Sequence, residues 1–276
     1  MSTTSPIYGR TRDGMLVARV GDQVFAMRPH DCGFHLVKGW GLTGTMDDWT
    51  AADFHDNRRD PVDEAEFRRT VEEWADHQRQ LVLLGRRSIA ARASTPWGLS
   101  QHAVAYADGV VAHSTASHGG FALTAERNAA VPASLRTSDG HYEEDCAWVA
   151  VAVAFPELFT DLEKRHADET LRHSYPDVWE EIHCKTLEAG QSRGKDRRRF
   201  EQENAVRWVV VSAVLSTHRP GFVECVARLG GRHDGEQRRY LVAEEFYDIG
   251  DFGFVIDEAR DQRYAGPSSF IGWSQP

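Results

Sequence analysis

Cysteine is scarce in this chain, and the spacing of the few cysteines excludes two common kinds of site. Four occur among 276 residues, namely Cys32, Cys146, Cys184 and Cys225, and no two of them form a CxxC pair. Zinc ribbons and thioredoxin-type redox motifs both need such close pairs. We therefore expect four free thiols.

Long apolar runs are also lacking. No stretch of the sequence approaches the ~18 apolar residues that a membrane-spanning helix needs. Residues 1–6 have neither the basic start nor the apolar segment of a secretory signal. These features predict a cytoplasmic protein without a membrane partner.

Positive charge is in deficit. The chain has 32 Lys and Arg residues against 42 Asp and Glu residues, which gives a formal net charge of -10. Nucleic-acid binding needs a concentrated positive surface, so this balance argues against it. The basic cluster at 195–199 has acidic neighbours and is typical of a solvated helix face.

Apolar residues are nevertheless plentiful enough to form a core. Hydrophobic residues make up 41% of the chain and aromatic residues 10%, which excludes an intrinsically disordered protein. In the first sixty residues, short β-like runs alternate with Gly and Asp turns and predict a small antiparallel meander with strands over 15–20, 23–27 and 34–37. Apolar residues then recur at helical spacing from Asp63 to Leu84, and Gly85 ends that helix.

A basic stretch over 86–94 separates this part from the remainder and predicts two domains, 1–90 and 95–276. Asp108-Gly109 lies between two β-rich runs and indicates a hairpin. The acidic residues 143–145 favour a helix over 142–155, and a capping box opens another at Thr160. Four late strands follow, over 208–215, 222–229, 240–242 and 252–256.

The pattern of elements predicts an α+β fold. It comprises a small antiparallel β-rich N-terminal region, a long amphipathic helix, and a larger C-terminal domain of mixed helices and antiparallel strands.

The densest polar segment lies between residues 102 and 146, and it allows three interpretations. The first is a cysteine hydrolase, with Cys146 as the nucleophile, His102 as the base and His113 orienting the imidazole. A thiol in the first turn of a helix has its thiolate stabilised. The alternative for Cys146 is a small buried hydrophobic residue, and the acidic residues before it oppose a thiolate.

A family likeness accompanies this interpretation. The run from Gln101 to His113, with Asp145-Cys146 further on, resembles the circularly permuted papain-like amidases and the lecithin:retinol acyltransferase group. The likeness covers about residues 101–155. It implies a His on one hairpin strand, a second polar residue on the next, and a Cys at a helix start.

The second interpretation is a metal site. His113 and His118, with His102, His141 or Cys146, could supply ligands for zinc. Their spacing matches no familiar zinc pattern, so we expect no metal and no cofactor. Glu143 and Glu144 are adjacent in sequence, so we expect their side chains to diverge.

The third interpretation is a binding loop without chemistry. Small and polar residues at the exit of the hairpin could present backbone N–H groups and hydroxyls to an anion or a partner chain; they are Ser114, Thr115, Ser117, His118, Gly119 and Gly120. No Lys follows the glycines, so the segment is not a nucleotide P-loop. The expected partner is an unknown protein or a small anionic ligand.

Several short motifs carry a broader resemblance over about residues 95–276. They are TPWG at 95–98, STASHGGF at 114–121, ERN at 126–128, YEEDC at 142–146, FPELF at 155–159 and AGPSSF at 265–270. In this combination the chain resembles an uncharacterised domain family of bacterial proteins, often associated with plasmids or phages. The resemblance implies a cytoplasmic protein of the mobile gene pool and brings no catalytic residues.

Two functional hypotheses remain open at this point. One is a binding or interaction protein that uses the polar loop at 114–120. The other is a cysteine hydrolase that acts on an amide or an ester.

Overall fold

The computed structural model describes residues 5–30, 33–54, 61–90 and 92–271. Cys32 lies outside these ranges. The chain forms two compact units, residues 1–171 and residues 172–276. Among the described residues, the first unit holds two larger antiparallel sheets and a two-stranded one, and the second unit holds a further antiparallel sheet. Helices occur in both units, so the α+β prediction is confirmed.

The N-terminal sheet is the predicted meander. Its antiparallel strands are β1 (Ile7–Arg10), β2 (Leu16–Val20), β3 (Gln23–His30) and β4 (Gly33–Trp40), in that spatial order. One face packs against the long helix, and the other packs against Trp49 and Phe54 beside two short 3-10 turns at 46–48 and 51–53. Successive side chains of a strand point to opposite faces, so apolar residues of β2 and β3 contribute to both packed faces of the sheet.

The long helix α1 (Glu64–Leu84) has the predicted ends. The Asp63 side chain accepts a hydrogen bond from the backbone N–H of Glu66, and Gly85 closes the helix in the left-handed region at φ 59°. Phe67, Val71 and Ala75 are buried against the N-terminal sheet. Phe67 and Val71, two of the apolar residues that recur at helical spacing in the sequence, therefore lie on the packed face.

The second sheet of this unit carries most of the motifs. After β5 (Arg87–Ile89), a small separate hairpin of β6 (Ser94–Thr95) and β7 (Gly98–Leu99) precedes the main strands. These are β8 (His102–Ala107), β9 (Val110–Ser114), β10 (Gly119–Leu123) and β11 (His141–Glu143), and the antiparallel order is β11-β10-β9-β8-β5. The short helix α2 (Ala125–Ala130) follows β10.

The predicted helix over 142–155 begins later than expected. Residues 141–143 pair with β10, residues 144–148 form turns, and helix α3 covers only Val149–Ala154. The cause is Tyr142, which is fully buried and donates a hydrogen bond to the Asn128 amide oxygen. Burial of this side chain in the sheet outweighs the preference of the acidic residues for a helix start.

Helix α4 (Asp161–Ser174) opens with the predicted capping box. The Glu163 N–H donates to Thr160 Oγ1 at 3.2 Å, and the Thr160 N–H donates to Glu163 Oε2 at 2.8 Å. The same carboxylate also accepts from Arg86, which lies just beyond α1 and stacks on Tyr106 with 3.8 Å to the ring centroid. Residues on both sides of the predicted 90–95 boundary therefore touch, and the boundary itself stays a prediction.

In the second unit, helices precede a four-stranded antiparallel sheet. The helices are α5 (Pro176–His183) and α6 (Arg193–Glu203), and the strands are β12 (Trp208–Leu215), β13 (Phe222–Leu229), β14 (Gln237–Ala243) and β15 (Gln262–Arg263), in that order. The prediction of a strand over 252–256 was wrong. This segment forms an isolated bridge from Val255 to Val209, and Phe254 and Ile256 contribute side chains to the core.

The AGPSSF motif crosses this sheet. Arg239 Nη2 donates to the carbonyl oxygen of Gly266 at 2.6 Å, and the Ser269 N–H donates to the buried carboxylate of Glu224 at 2.8 Å. Ser269 Oγ accepts from the Thr217 N–H at 3.0 Å. We call residues 265–270 the strap. Within the ranges that the structure describes, no helix combines the length and apolar character needed to cross a bilayer.

Candidate functional site

Three of the sequence motifs meet at one end of the β8–β11 sheet. The Thr115 hydroxyl of STASHGGF donates to the Trp97 carbonyl of TPWG at 3.3 Å. Gly120 of STASHGGF pairs with Glu143 of YEEDC across β10 and β11. The AGPSSF motif lies in the other unit. This end of the sheet is the candidate site, and we call it the motif end.

The hairpin loop at the motif end is shorter than the sequence suggested. Ser114 pairs with Gly119, so only residues 115–118 connect β9 to β10. The Thr115 N–H donates to the His118 carbonyl at 2.8 Å, which closes the loop as a tight turn. Gly119 and Gly120 are buried strand residues. Their backbone forms part of the sheet, which differs from the open anion-binding nest that the sequence suggested.

Gly120 makes room for an indole ring. A Cβ atom at this position would lie 2.5 Å from Trp97 Cη2 and would also collide with the Tyr142 carbonyl oxygen. Trp97 therefore lies against the strand, with its ring edge-on to His141 at 5.9 Å between centroids. The glycine is required by this close approach.

Gly119 makes room for a carboxylate. A Cβ atom there would lie 2.6 Å from Glu144 Oε2 and 2.6 Å from the His113 carbonyl oxygen. The Glu144 N–H also donates to the Gly119 carbonyl at 3.0 Å, which continues the β10–β11 pairing by one residue. The missing side chain thus admits the Glu144 carboxylate to the surface of β10.

His118, Glu143 and Glu144 converge at this point. One possible ligand atom from each lies within 4.8 Å of the others. His118 and Glu144 are exposed, and Glu143 is half-buried, with Oε2 accepting from the Asp145 N–H at 2.8 Å. No lysine or arginine in the described ranges forms an ion pair with either carboxylate. We call these three residues the donor triad.

The two histidines of the hydrolase hypothesis lie on opposite faces of the sheet. His102 pairs with Ser114 and Ala103 pairs with His113, and successive side chains of a strand point to opposite faces. The fold therefore does not bring His102 and His113 together.

Each histidine has its own serine partner. His113 is buried, and the Ser100 hydroxyl donates to the His102 carbonyl at 3.1 Å, so that it accepts from His113 Nδ1 at 3.0 Å. Burial lowers the pKa of His113, and the nearby His141 lowers it further. His102 is exposed, with Nε2 3.1 Å from Ser88 Oγ.

Cys146 is half-buried in the turns at 144–148. Helix α3 begins after Trp148, so the sulfur does not occupy the first helical turn that would stabilise a thiolate. Ser114, the last residue of β9, is exposed, as are the loop residues Ser117 and His118, whereas Thr115 is half-buried.

The sequence interpretation missed the two glutamates. Their adjacency suggested divergent side chains, yet Glu143 ends β11 and Glu144 begins a turn, so the backbone turns between them. The paired glycines opposite them were the available signal, because two consecutive glycines inside a strand indicate a close approach by other groups.

Comparison with known proteins shows a similarity to a family over part of the chain. No curated protein and no solved structure matches the chain. Residues 90–205 match the model of a domain of unknown function, DUF7007. This segment contains TPWG, STASHGGF and YEEDC, so the part of the chain that holds the motif end is similar to an uncharacterised domain family.

Proposed function

We propose that the motif end is a binding site for a divalent transition-metal ion, held by the donor triad. The observation that carries the proposal is the convergence of His118, Glu143 and Glu144 within 4.8 Å. One imidazole and two carboxylates suit Zn²⁺, Mn²⁺ or Fe²⁺, whereas Mg²⁺ and Ca²⁺ prefer oxygen ligands alone.

Electrostatics supports a cation at this place. Two carboxylates that approach each other repel, and a divalent ion between them removes the repulsion. The Glu144 N–H donates to the Gly119 carbonyl at 3.0 Å, and the Glu144 carboxylate lies over Gly119 on β10. Three protein ligands also leave coordination positions open, as in metal sites that bind a further ligand.

A metal ion at the motif end would explain how a binding protein with this acidic surface could bind an anion. A bare acidic site repels the small anionic ligand that the sequence suggested, whereas a bound cation with open positions attracts one. The chain then acts as a binding or interaction protein whose surface depends on the metal.

Titration calorimetry of the full chain with Zn²⁺ and Mn²⁺ tests the proposal, together with thermal melting. We expect binding at one site and a higher melting temperature, because a ligand of the folded state stabilises it. The substitutions His118→Ala and Glu144→Gln should each weaken binding at least about tenfold, as expected for the loss of a ligand.

The matched controls are His166→Ala and Glu169→Gln, which change an exposed histidine and an exposed glutamate of α4. Both should leave metal affinity unchanged. Equal affinity in the triad variants and the controls would refute the proposal.

The cysteine hydrolase remains the second hypothesis, with less support from the geometry. Cys146 lies outside the first turn of α3, and the two proposed histidines face opposite sides of the sheet. The rate at which iodoacetamide alkylates Cys146, compared with the rate for the exposed Cys184, separates the two hypotheses.

From the resemblance of the motifs alone, we also propose a bacterial protein of the mobile gene pool that works in the cytoplasm. Cell fractionation of a bacterial host that expresses the chain tests the location. Recovery in the membrane or the periplasm would contradict it.

A further inference from the structure

We infer that the first unit binds a small organic amine with an apolar body, in a cleft between the N-terminal sheet and the start of α1. The cleft has a volume of about 800 Å³. Small-molecule sites in proteins have volumes of roughly 300–1,000 Å³. The lining residues lie between Arg10 and Glu64 in the chain, so the inference does not depend on the proposed cation site.

The floor of the cleft is apolar. It includes Leu16 and Met27, which are buried members of the core that packs against α1, and Phe34. Phe34 lies two residues before Leu36 of the same core, and alternate side chains of a strand share a face. Because α1 begins at the rim of the cleft, with Glu64, this part of the face stays open. Phe34 is 44% exposed and offers its ring to the apolar body of a ligand.

Two short segments line the cleft beside this floor, and hydrogen bonds hold both of them. In the segment before α1, the Val62 N–H donates to the Phe34 carbonyl at 2.8 Å. In the turn before β2, the buried Thr11 donates its N–H to the Met15 carbonyl at 3.0 Å, and Thr11 Oγ1 accepts from the Met15 N–H at 3.0 Å. A cleft with fixed walls needs little ordering when a ligand binds.

Carboxylates outnumber cations in the lining. Asp13, Asp63 and Glu64 line the cleft together with one guanidinium, that of Arg10. Glu64 forms an ion pair with Arg68 at 2.8 Å. In the described part of the chain, Asp13 and Asp63 form no ion pair with a lysine or an arginine. The two aspartates therefore give the cleft an excess of negative charge.

Each of these aspartates has one oxygen engaged by its own segment. Asp63 Oδ1 accepts from the Glu66 N–H at 2.7 Å, and Asp13 Oδ1 accepts from the Thr11 hydroxyl. The second oxygen of each carboxylate can accept a hydrogen bond from a ligand. An ammonium group carries three N–H donors, and its charge strengthens their hydrogen bonds to a carboxylate.

The same charges decide between an amine and other ligands. An anion would be repelled by the aspartates, and Arg10 Nη1 already donates to the Gly14 carbonyl at 2.8 Å. A neutral apolar molecule would fill the floor but leave the aspartates without a counter-charge. An amine with an apolar body satisfies both the floor and the aspartates.

Ligand-observed NMR titration of the full chain tests the inference with three probes that share an indole body. They are tryptamine, tryptophol and indolepropionate, which end in an ammonium, a hydroxyl and a carboxylate. Tryptamine should bind saturably, tryptophol at least about fivefold more weakly, and indolepropionate at least about tenfold more weakly.

Substitutions in the cleft separate the contribution of charge from that of the floor. Asp13→Asn and Asp63→Asn should each weaken tryptamine about fivefold, since the pairs are partly exposed to solvent, and leave tryptophol within about twofold. Asparagine caps helices as well as aspartate does, so Asp63→Asn preserves the start of α1. Phe34→Ala should weaken tryptamine and tryptophol alike, by about fivefold, because it removes apolar contact area.

Asp234→Asn and Phe246→Ala are the matched controls, because they change an exposed aspartate and a 47% exposed phenylalanine of the second unit. Both should leave the three affinities unchanged. Equal affinities for the three probes, or no saturable binding of tryptamine up to about 10 mM, would overturn the inference. Aspartate variants that bind tryptamine like Asp234→Asn, or a Phe34→Ala variant that binds it like Phe246→Ala, would overturn it as well.

Discussion

Arg239 and Glu224 form an ion pair inside the sheet of the second unit. Arg239 Nη1 donates to Glu224 Oε1 at 2.9 Å, and the carboxylate side chain is fully buried. Ser268 Oγ and the Ser269 N–H donate to the same carboxylate at 3.0 and 2.8 Å. A buried carboxylate that accepts from these three donors is stable only when the donors are in place.

Removal of Arg239 should therefore destabilise the second unit strongly. We expect Arg239→Met to lower the free energy of unfolding by about 3–5 kcal/mol, because the charge of Glu224 stays buried without its main partner. Urea denaturation followed by circular dichroism measures the loss. The double variant Arg239→Met/Glu224→Leu should recover part of it, and a double variant as unstable as the single one would contradict this explanation.

The thiols should differ in reactivity in the folded chain. Cys184 is exposed, whereas Cys225 is buried and its burial raises the pKa to about 12. Among the three cysteines that the structure describes, iodoacetamide at neutral pH should therefore label Cys184 before Cys225, as mass spectrometry can follow. After denaturation without reductant, four free thiols should be found.

The labelling rate of Cys146 in the same experiment distinguishes the two functional hypotheses. The binding-protein hypothesis expects Cys146 to react no faster than the exposed Cys184. A rate for Cys146 that exceeds the rate for Cys184 near neutral pH would favour the cysteine hydrolase, because only an activated thiol reacts faster than an exposed one.

Gly119→Ala should damage the motif end. The added Cβ would lie 2.6 Å from both Glu144 Oε2 and the backbone oxygen of His113. We expect a loss of about 1–3 kcal/mol in the free energy of unfolding, together with weaker Mn²⁺ binding in titration calorimetry. Gly250→Ala is the control, since its Cβ would meet only an ordinary contact at 3.7 Å. Equal effects of the two substitutions would contradict the role of Gly119.

His113 should make stability depend on mild acid. Burial lowers its pKa in the folded chain, so the unfolded chain binds more protons as pH falls below about 6.5. The stabilisation is complete above that pH and is lost as pH falls toward the folded pKa. Urea midpoints at pH 7.5 and pH 5 should move closer together in His113→Asn than in the exposed control His233→Asn. An identical shift in both variants would show that His113 does not contribute.

The substitution Arg86→Ala in the full chain tests whether the parts of the chain before and after residues 90–95 stabilise each other. Arg86 donates to Glu163 Oε2 at 2.6 Å and to the Leu158 carbonyl at 2.7 Å, and both side chains of the ion pair are largely buried. We expect a loss of about 3 kcal/mol in the free energy of unfolding, as for a buried pair that loses one partner. No measurable loss would instead support a 95–276 fragment that folds independently, which cooperative melting of that fragment would show.

Elements with local signals could be predicted from the sequence. The meander, α1 with Asp63 and Gly85 at its ends, the Asp108-Gly109 hairpin and the Thr160 capping box all depend on neighbouring residues. The conformation of residues 142–148 could not be predicted from the sequence. It is decided by the burial of Tyr142 against β10, which depends on residues distant in the chain.

For the candidate site as well, the sequence identified the residues that are close together in the chain and missed those that meet only through strand pairing. His118 and the glycines were found because the motif is compact in sequence. Glu143 and Glu144 were set aside, since their convergence with His118 depends on the pairing of β10 with β11. The separation of His102 from His113 likewise depends on strand register, which the residues of one strand alone do not specify.

The strap has a consequence for synthesis of the chain on the ribosome. Glu224 lies 45 residues before Ser269, which provides one of its donors. While the ribosome has not yet released residues 268 and 269, the strands of the second unit can pair only by burying an incompletely neutralised carboxylate. We therefore expect folding of this unit to wait for the strap, and nascent chains that stop short of it to remain substrates for chaperones and proteases.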